Sequence, residues 1–207
     1  ATISLASEAL NEDMVLKDKA KQQRFVRVIQ DENNRLKNQV DKVLQFAKLD
    51  KGELMVQKEA VNVNLVLKEL KEAFSLQLHE KGANLSLFLD SEHNTILADP
   101  LHIKNIFSNL IDNAIKFSEK GIFIDIKTTM IDQNIEVSVS DDGIGIKKED
   151  QDKVFDKFYR VHTGNRHDVK GFGLGLSYVK EMLEMHGGSI ELISELDKGS
   201  VFKVRLP

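Results

Sequence analysis

Between Asn109 and Phe202 the chain carries four short segments in order, NLIDNAIKFS, DDGIGI, VFDKFYR and GFGLGLSYVK, and these constrain its fold more than anything else in it. The first lies within a helical pattern. Asp99-Pro100 is a good helix start, an N-cap acid followed by proline at the first helical position. Ile103, Ile106, Phe107, Leu110, Ala114 and Phe117 then fall on one side at helical spacing. At roughly 100° per residue, Asn109, Asn113 and Lys116 form a polar stripe along the edge of that side. An amide oxygen is a hard ligand suited to Mg²⁺, which takes a few protein oxygens beside phosphate and water. A lysine alongside meets phosphate as a point charge. An ordinary amphipathic helix with polar rim residues presents the same pattern.

The second and fourth segments are rich in glycine. Asp141-Asp142-Gly143-Ile144-Gly145-Ile146 follows a strand-like run in which Ile135, Val137 and Val139 alternate with polar residues. Asp-Gly is a common turn pair, so a tight turn alone would explain it. A carboxylate at a strand end can also accept a hydrogen bond from an adenine amino group, where guanine offers a carbonyl. Gly171 to Leu176 precedes a helical run through Leu176, Val179, Met182 and Leu183. A helix N-terminus leaves N–H groups unpaired and carries positive dipole, so it suits phosphate, and glycine lets the backbone approach. A flexible loop ending at a helix start fits the same residues. No glycine-lysine-serine/threonine comes after it, so this is not a Walker loop. Nor does His162 to Lys170 read as the strand that a Rossmann fingerprint needs.

Taken together, the segments resemble the kinase core of a two-component sensor histidine kinase, of the GHKL ATP-binding superfamily. NLIDNAIKFS resembles the N box, DDGIGI the G1 box, VFDKFYR the F box and GFGLGLSYVK the G2 box, and Lys198-Gly199-Ser200-Val201-Phe202 resembles the final glycine box. The resemblance implies a nucleotide pocket for ATP with Mg²⁺. Asn113 would be the Mg²⁺ ligand, with Asn109 and Lys116 near the phosphates. Asp141 would bind the adenine amino group, Gly143, Gly145 and Ile146 would shape the base pocket, and Ser200 would sit beside Asp141. Gly171, Gly173, Leu174, Gly175 and Leu176 would form the phosphate-binding loop and helix start. Phe155, Phe158 and Tyr159 would anchor a lid, with Arg160 near the phosphates. Asp142 stands where many members have asparagine, and Phe172 replaces a small residue between two glycines.

Ahead of Asp50 the pattern changes. Lys17 to Leu49 contains no glycine or proline, and Phe25, Ile29, Leu36, Val40, Val43 and Ala47 recur at steps of three, four or seven. That seam predicts a helix of about 30 residues and about 45 Å. Its single apolar stripe needs a partner, its own globular domain or a second copy, and the resemblance implies a homodimer. Ala1 to Leu10 reads as the end of another helix, turning at Asn11-Glu12-Asp13, and Lys51-Gly52 as a hinge. The expected domains are thus 1–50, helices of a dimerisation bundle, and 51–207, an ATP-binding domain. In the second, Val63 to Leu78 reads as one helix. Strands are expected at Asn84 to Leu89, Ile122 to Thr128, Ile135 to Ser140, Ser189 to Ile193 and Ser200 to Leu206. The fold class is α+β, a two-layer α/β sandwich of the Bergerat type preceded by a long helix. Residues 147–170 form a charged stretch without periodicity, and the resemblance implies an ATP lid there.

Composition narrows the remaining choices. A net charge of −4 argues against general nucleic-acid binding, and the absence of cysteine excludes disulfides and thiolate sites. No run of 18 apolar residues or signal-peptide pattern occurs, so this piece is expected to be cytoplasmic, part of a sensor attached to the inner membrane elsewhere. None of His79, His93, His102, His162, His167 or His186 lies in a motif of the His-Glu-Leu-Arg-Thr-Pro-Leu type. Ala1-Thr2-Ile3-Ser4-Leu5 resembles the residues directly C-terminal to that motif, so the expectation is a chain beginning just past its phosphoacceptor. The implied activity is protein-histidine kinase: transfer of the ATP γ-phosphoryl to that histidine, then to an aspartate of a response-regulator receiver domain. Another GHKL ATPase, a protein-serine kinase of the same superfamily and a non-catalytic adaptor are the alternatives.

Overall fold

The computed structural model describes residues 2–12, 18–50, 55–90, 94–117, 121–161 and 173–207. It divides into two compact units, Ala1–Met55 and Val56–Pro207. The expected hinge at Lys51-Gly52 lies outside the described residues, as do His93, His162, His167, Gly171 and Phe172.

In the first unit α1 (Thr2–Leu10) packs against α2 (Lys19–Asp50), and Ala6 is buried between them. Asp18 starts α2 as an N-cap, its carboxylate accepting from the N–H groups of Ala20 and Lys21 at 3.0 and 3.1 Å. The 32 residues of α2 contain no helix breaker, so nothing interrupts about 48 Å of helix. Phe25 and Ile29 of the expected seam are half-buried, while Leu36 and Val40 remain exposed, as do Val26 and Leu44.

The second unit is a mixed five-stranded sheet with helices on one face. Its strands are β2 (Asn84–Phe88), β4 (Phe123–Ile131), β5 (Asn134–Asp141), β6 (Ser189–Glu195) and β7 (Gly199–Leu206), in the order β2-β4-β5-β7-β6. Within this sheet only the β2–β4 pairing is parallel. The helix layer is α3 (Val63–Ala73), α5 (Pro100–Lys116) and α7 (Gly175–Met185), with α5 between the other two and against β5. Alternation decides which face is covered. Ile124 and Ile126 of β4, Val137 and Val139 of β5 and Val204 and Leu206 of β7 turn inward and are buried. On the opposite face Ser138 and Lys203 are half-exposed, and Arg205 pairs with Glu136 at 2.8 Å. The turn between β4 and β5 has positive φ at both Asp132 and Gln133, the combination that a tight two-residue hairpin requires.

Three expectations are revised. The helix expected over Val63 to Leu78 is two: α3 stops at Phe74, and α4 (Ser75–Lys81) closes on left-handed Gly82. The break turns Leu78 into the core beside β2, and no glycine or proline marks it in advance. Two short strands, β1 (Glu59–Asn62) and β3 (Thr95–Ala98), form a separate antiparallel pair. They escape a sequence reading because only Val61 of β1 is buried, and Leu97 of β3 faces outward where a polar residue would complete an alternation. The charged stretch after Ile146 begins with α6 (Lys148–Gln151) and a 3-10 turn (Lys153–Phe155).

Central placement makes α5 the most costly helix to disturb. Ile103, Ile106, Phe107, Leu110, Ile111 and Ile115 are fully buried. Phe107→Ala is expected to cost about 3–5 kcal/mol of stability in urea denaturation; a loss below about 1 kcal/mol would contradict this packing.

Candidate functional site

The buried face of α5 fixes where its polar edge points. Asp99 caps the helix, accepting from Leu101 and His102 N–H, with Pro100 next as the pattern predicts. Two turns on, Asn109 donates from Nδ2 to the carbonyl of Asn105 at 2.7 Å, which holds its amide plane. Its Oδ1 then faces Gly175, the first residue of α7; a Cβ at Gly175 would come within 3.2 Å of it. Any side chain there would crowd the oxygen, so glycine keeps this junction open. Leu174 is the N-cap of α7, and its side chain makes no capping hydrogen bond to the helix. Leu174 is buried and Leu176 half-buried. Asn113 lies one turn beyond Asn109, half-buried on the same stripe. Lys116 is exposed and forms an ion pair with Asp112.

At its far end α5 meets the 141–146 turn, where the Phe117 carbonyl accepts from Ile144 N–H at 3.2 Å. Asp141 ends β5, and its Oδ1 accepts from Gly143 N–H at 3.0 Å. It pairs across the sheet with Ser200 of β7, which is buried and shares a hydrogen bond of 3.0 Å with Ser194. Gly199 adopts φ +90°, and a Cβ there would overlap the Asp141 carbonyl, so only glycine brings β7 this close. Gly145, also left-handed, lies against the Glu195 carbonyl, and Ile146 N–H donates to Ser194 Oγ at 2.8 Å. Asp142 turns away from this cluster to accept from Phe123 N–H at 2.8 Å, anchoring the start of β4.

A third wall comes from residues after the 3-10 turn. Phe158 has φ +65° and donates its N–H to the Gly173 carbonyl at 3.0 Å, so its segment and the glycine loop touch directly. Its ring is 69% exposed, which places it outside the core. Tyr159 Oη donates to Asp150 at 2.6 Å, Lys157 pairs with Glu181 of α7 at 2.9 Å, and Arg160 is exposed. The fold thus gathers Asn109 with Gly175, Asp141 with Gly143 and Ser200, Gly145 with Glu195, and Phe158 and Tyr159 with Gly173. Lys116 is turned to Asp112, and Gly171 lies outside the described residues. Ser194 is not among the residues the sequence points to, although its Oγ ties Ile146, Gly199 and Ser200 together. A lone serine in an alternating strand carries no signal of that role.

Electrostatically the two ends differ. Burial pushes the Asp141 carboxyl up to about 6, and the charge of Asp142 adds to this, against backbone hydrogen bonds from Gly143 and Ser200 that favour the carboxylate. Among the described residues no group of three or more His, Cys, Asp or Glu could hold a metal ion. A cation at the Asn113 end would therefore depend on oxygens brought by a ligand.

Residues 98–207 match the family of histidine kinase-, DNA gyrase B- and HSP90-like ATPases. The chain belongs to this family. Residues 1–52 match the His Kinase A (phospho-acceptor) domain, which places the chain among the sensor histidine kinases of that family. It is 41% identical to sensor protein RprX of Bacteroides fragilis over its whole length, covering 40% of that protein. Identity to the signal transduction histidine-protein kinase ArlS of Staphylococcus aureus is 32% over 91% of the chain and 41% of ArlS. The chain therefore spans about two fifths of these relatives. Among solved structures, full-length ShkA in complex with AMPPNP superposes with a TM-score of 0.79 at 25% identity, over all of this chain and 42% of ShkA.

The raised Asp141 carboxyl predicts a pH signature. Because the folded state holds this proton more tightly than the unfolded chain, stability falls as pH rises from the ordinary 3.8 through about 6. The loss from this one group is at most roughly 3 kcal/mol. Without ligand, Asp141→Asn should be more stable than the unaltered chain at pH 7.5, with the advantage shrinking as pH falls toward 4. Denaturation curves at both ends of that range test this, and an equal difference at each pH would refute it.

Proposed function

We propose that this chain is the ATP-binding kinase core of a two-component sensor histidine kinase, acting as a protein-histidine kinase toward a phosphoacceptor histidine. The meeting of Asn109 with the N-terminus of α7 at Gly175, together with a half-buried Asp141 at the end of β5, carries this reading. One end of the site has the backbone N–H groups of a helix start for phosphate, and the other has a half-buried carboxylate as acceptor for an amino group. Asp141, with Gly143, Gly145, Ile146 and Ser200, receives the adenine. Asn109, Gly173, Leu174, Gly175 and Leu176 receive the phosphates, and Phe158, Tyr159 and Arg160 border them.

The donor set fits Mg²⁺, since Asn113 supplies a hard amide oxygen on the phosphate side and no carboxylate cage among the described residues competes for the ion. Bound there, Mg²⁺ neutralises phosphate charge. The chain's own contribution is positioning: α5 and α7 hold the triphosphate while the lid-side residues exclude water. In the transfer, the bond from the γ-phosphorus to the β–γ bridging oxygen breaks and a bond to an imidazole nitrogen forms. ADP departs and the nitrogen loses its proton. A receiver-domain aspartate takes the phosphoryl next. The exposed apolar positions of α2, Leu36 and Val40 among them, suit pairing with a second copy. Among the described residues no helix is long and apolar enough to cross a membrane. We place this pocket in the cytoplasm, within a longer protein held at the membrane by other segments.

Asn113→Ala should weaken Mg·AMPPNP binding roughly tenfold or more. Asp141→Asn should weaken adenine recognition by about 10- to 100-fold, the range for a hydrogen bond to a charged acceptor. Calorimetry showing unchanged affinity in both would reject the site. Incubation with γ-labelled ATP and an acceptor domain bearing a His-Glu-Leu-Arg-Thr-Pro-Leu type motif should yield acid-labile, base-stable label. Base-labile label on serine would reject the histidine-kinase assignment.

A further inference from the structure

Behind the phosphate side of the site lies a buried polar relay that the proposed chemistry does not use. Tyr178 sits one turn into α7 and is 5% exposed, and its hydroxyl is 2.8 Å from Nδ1 of the equally buried His102 on α5. Asn105 Nδ2 approaches the same hydroxyl at 3.4 Å, and the Asn105 carbonyl is what holds Asn109. A second bridge runs beside it: Asp99 N–H donates to His186 Nε2 at 3.0 Å, so the His186 proton is on Nδ1, which donates to the Met182 carbonyl at 2.7 Å. His186 therefore ties the N-cap of α5 to the end of α7, while Tyr178 ties the first two turns of α5 to the first turn of α7.

Two apolar helices could pack at this spot without any polar group, and a buried hydroxyl and imidazole add no stability over well-packed hydrocarbon. A hydrogen bond adds direction. It fixes how far α7 can slide or rotate relative to α5, and hence the gap between Asn109 Oδ1 and the backbone of Gly175. We propose that Tyr178 is a positioning residue: through His102 and Asn105 it holds the amide stripe of α5 in register with the N-terminus of α7, and so sets affinity for the phosphates of a nucleotide rather than for its base. The base side depends on the end of β5, the start of β7 and the 141–146 turn, which hold one another through their own hydrogen bonds. Burial supports the role by keeping both groups uncharged, lowering the tendency of His102 to take a proton and pushing the Tyr178 hydroxyl up to about 12.

This inference rests on the nucleotide reading above, and its test separates the two. Replacing both partners by apolar groups of similar shape removes the His102–Tyr178 hydrogen bond without stranding either of them, and it also takes from half-buried Asn105 the hydroxyl that its Nδ2 approaches. His102→Leu/Tyr178→Phe should therefore fold with a melting temperature close to that of the unaltered chain. Titration with Mg·AMPPNP should show affinity lowered roughly tenfold, as for other groups that orient ligands, while adenosine, measured by competition, binds as before. Tyr178→Phe alone should move the AMPPNP-to-adenosine ratio in the same direction and serves if the double variant does not fold. An unchanged ratio overturns the proposal, including the case in which both ligands weaken equally. Failure of the unaltered chain to bind either ligand overturns the nucleotide reading, and this inference with it.

Discussion

Burial of α5 on three sides is the constraint on which the site depends. α3 and α7 flank it and β5 lies beneath it, so its rotation about its own axis is set by Phe107, Leu110 and Ile111, which have nowhere else to go. With rotation fixed, Asn109 and Asn113 must emerge along one edge. That edge faces α7 at one point and leads at its end to the 141–146 turn. Polar groups placed this way need no flexible search for their geometry, since the hydrophobic core has already positioned them.

The two ends of the site are built by different physics. At Gly173 and Gly175 the work is steric: a side chain at Gly175 would crowd Asn109 Oδ1 and one at Gly173 would overlap the Phe158–Tyr159 backbone, while the Phe158–Gly173 hydrogen bond holds the neighbouring segment against the loop. At Asp141 the work is electrostatic. A carboxyl whose pKa burial pushes up to about 6 is poorly satisfied when charged, and a bound donor would relieve that cost. Stability withheld from the empty state becomes discrimination among ligands. Asp142, one residue on, shows how little separation divides the roles. It accepts from Phe123 N–H and secures the end of a strand, yet its charge also bears on Asp141.

Legibility in the sequence tracks the strength of periodicity. The long α2, the capped α5 and the five strands of the main sheet are all readable, because each buries one face along many residues or alternates across several. The break at Phe74 is not, since Leu67, Leu70, Phe74 and Leu78 keep helical spacing across it. β1 and β3 are hidden for the opposite reason: four residues with an outward Leu97 give alternation no room to show. In the site, asparagines and glycines announce themselves by spacing. Ser194 and Tyr178 do not, because a serine in a strand or a tyrosine on an apolar helix face is ordinary until its partners are known.

Sequence alone dictated the buried stripe of α5 from Ile103 to Ala114, its capped start at Asp99-Pro100, and the glycine positions of the site that must be free of side chains. Those are local properties, governed by side-chain volume, capping and allowed φ. Tertiary packing alone settles that Asn109 meets Gly175, that Ser200 lies across from Asp141, and that Tyr178 bonds to His102 across two helices. These pairings join residues many positions apart. Which of them forms depends on how the buried faces of several elements pack together, a choice that no single segment carries.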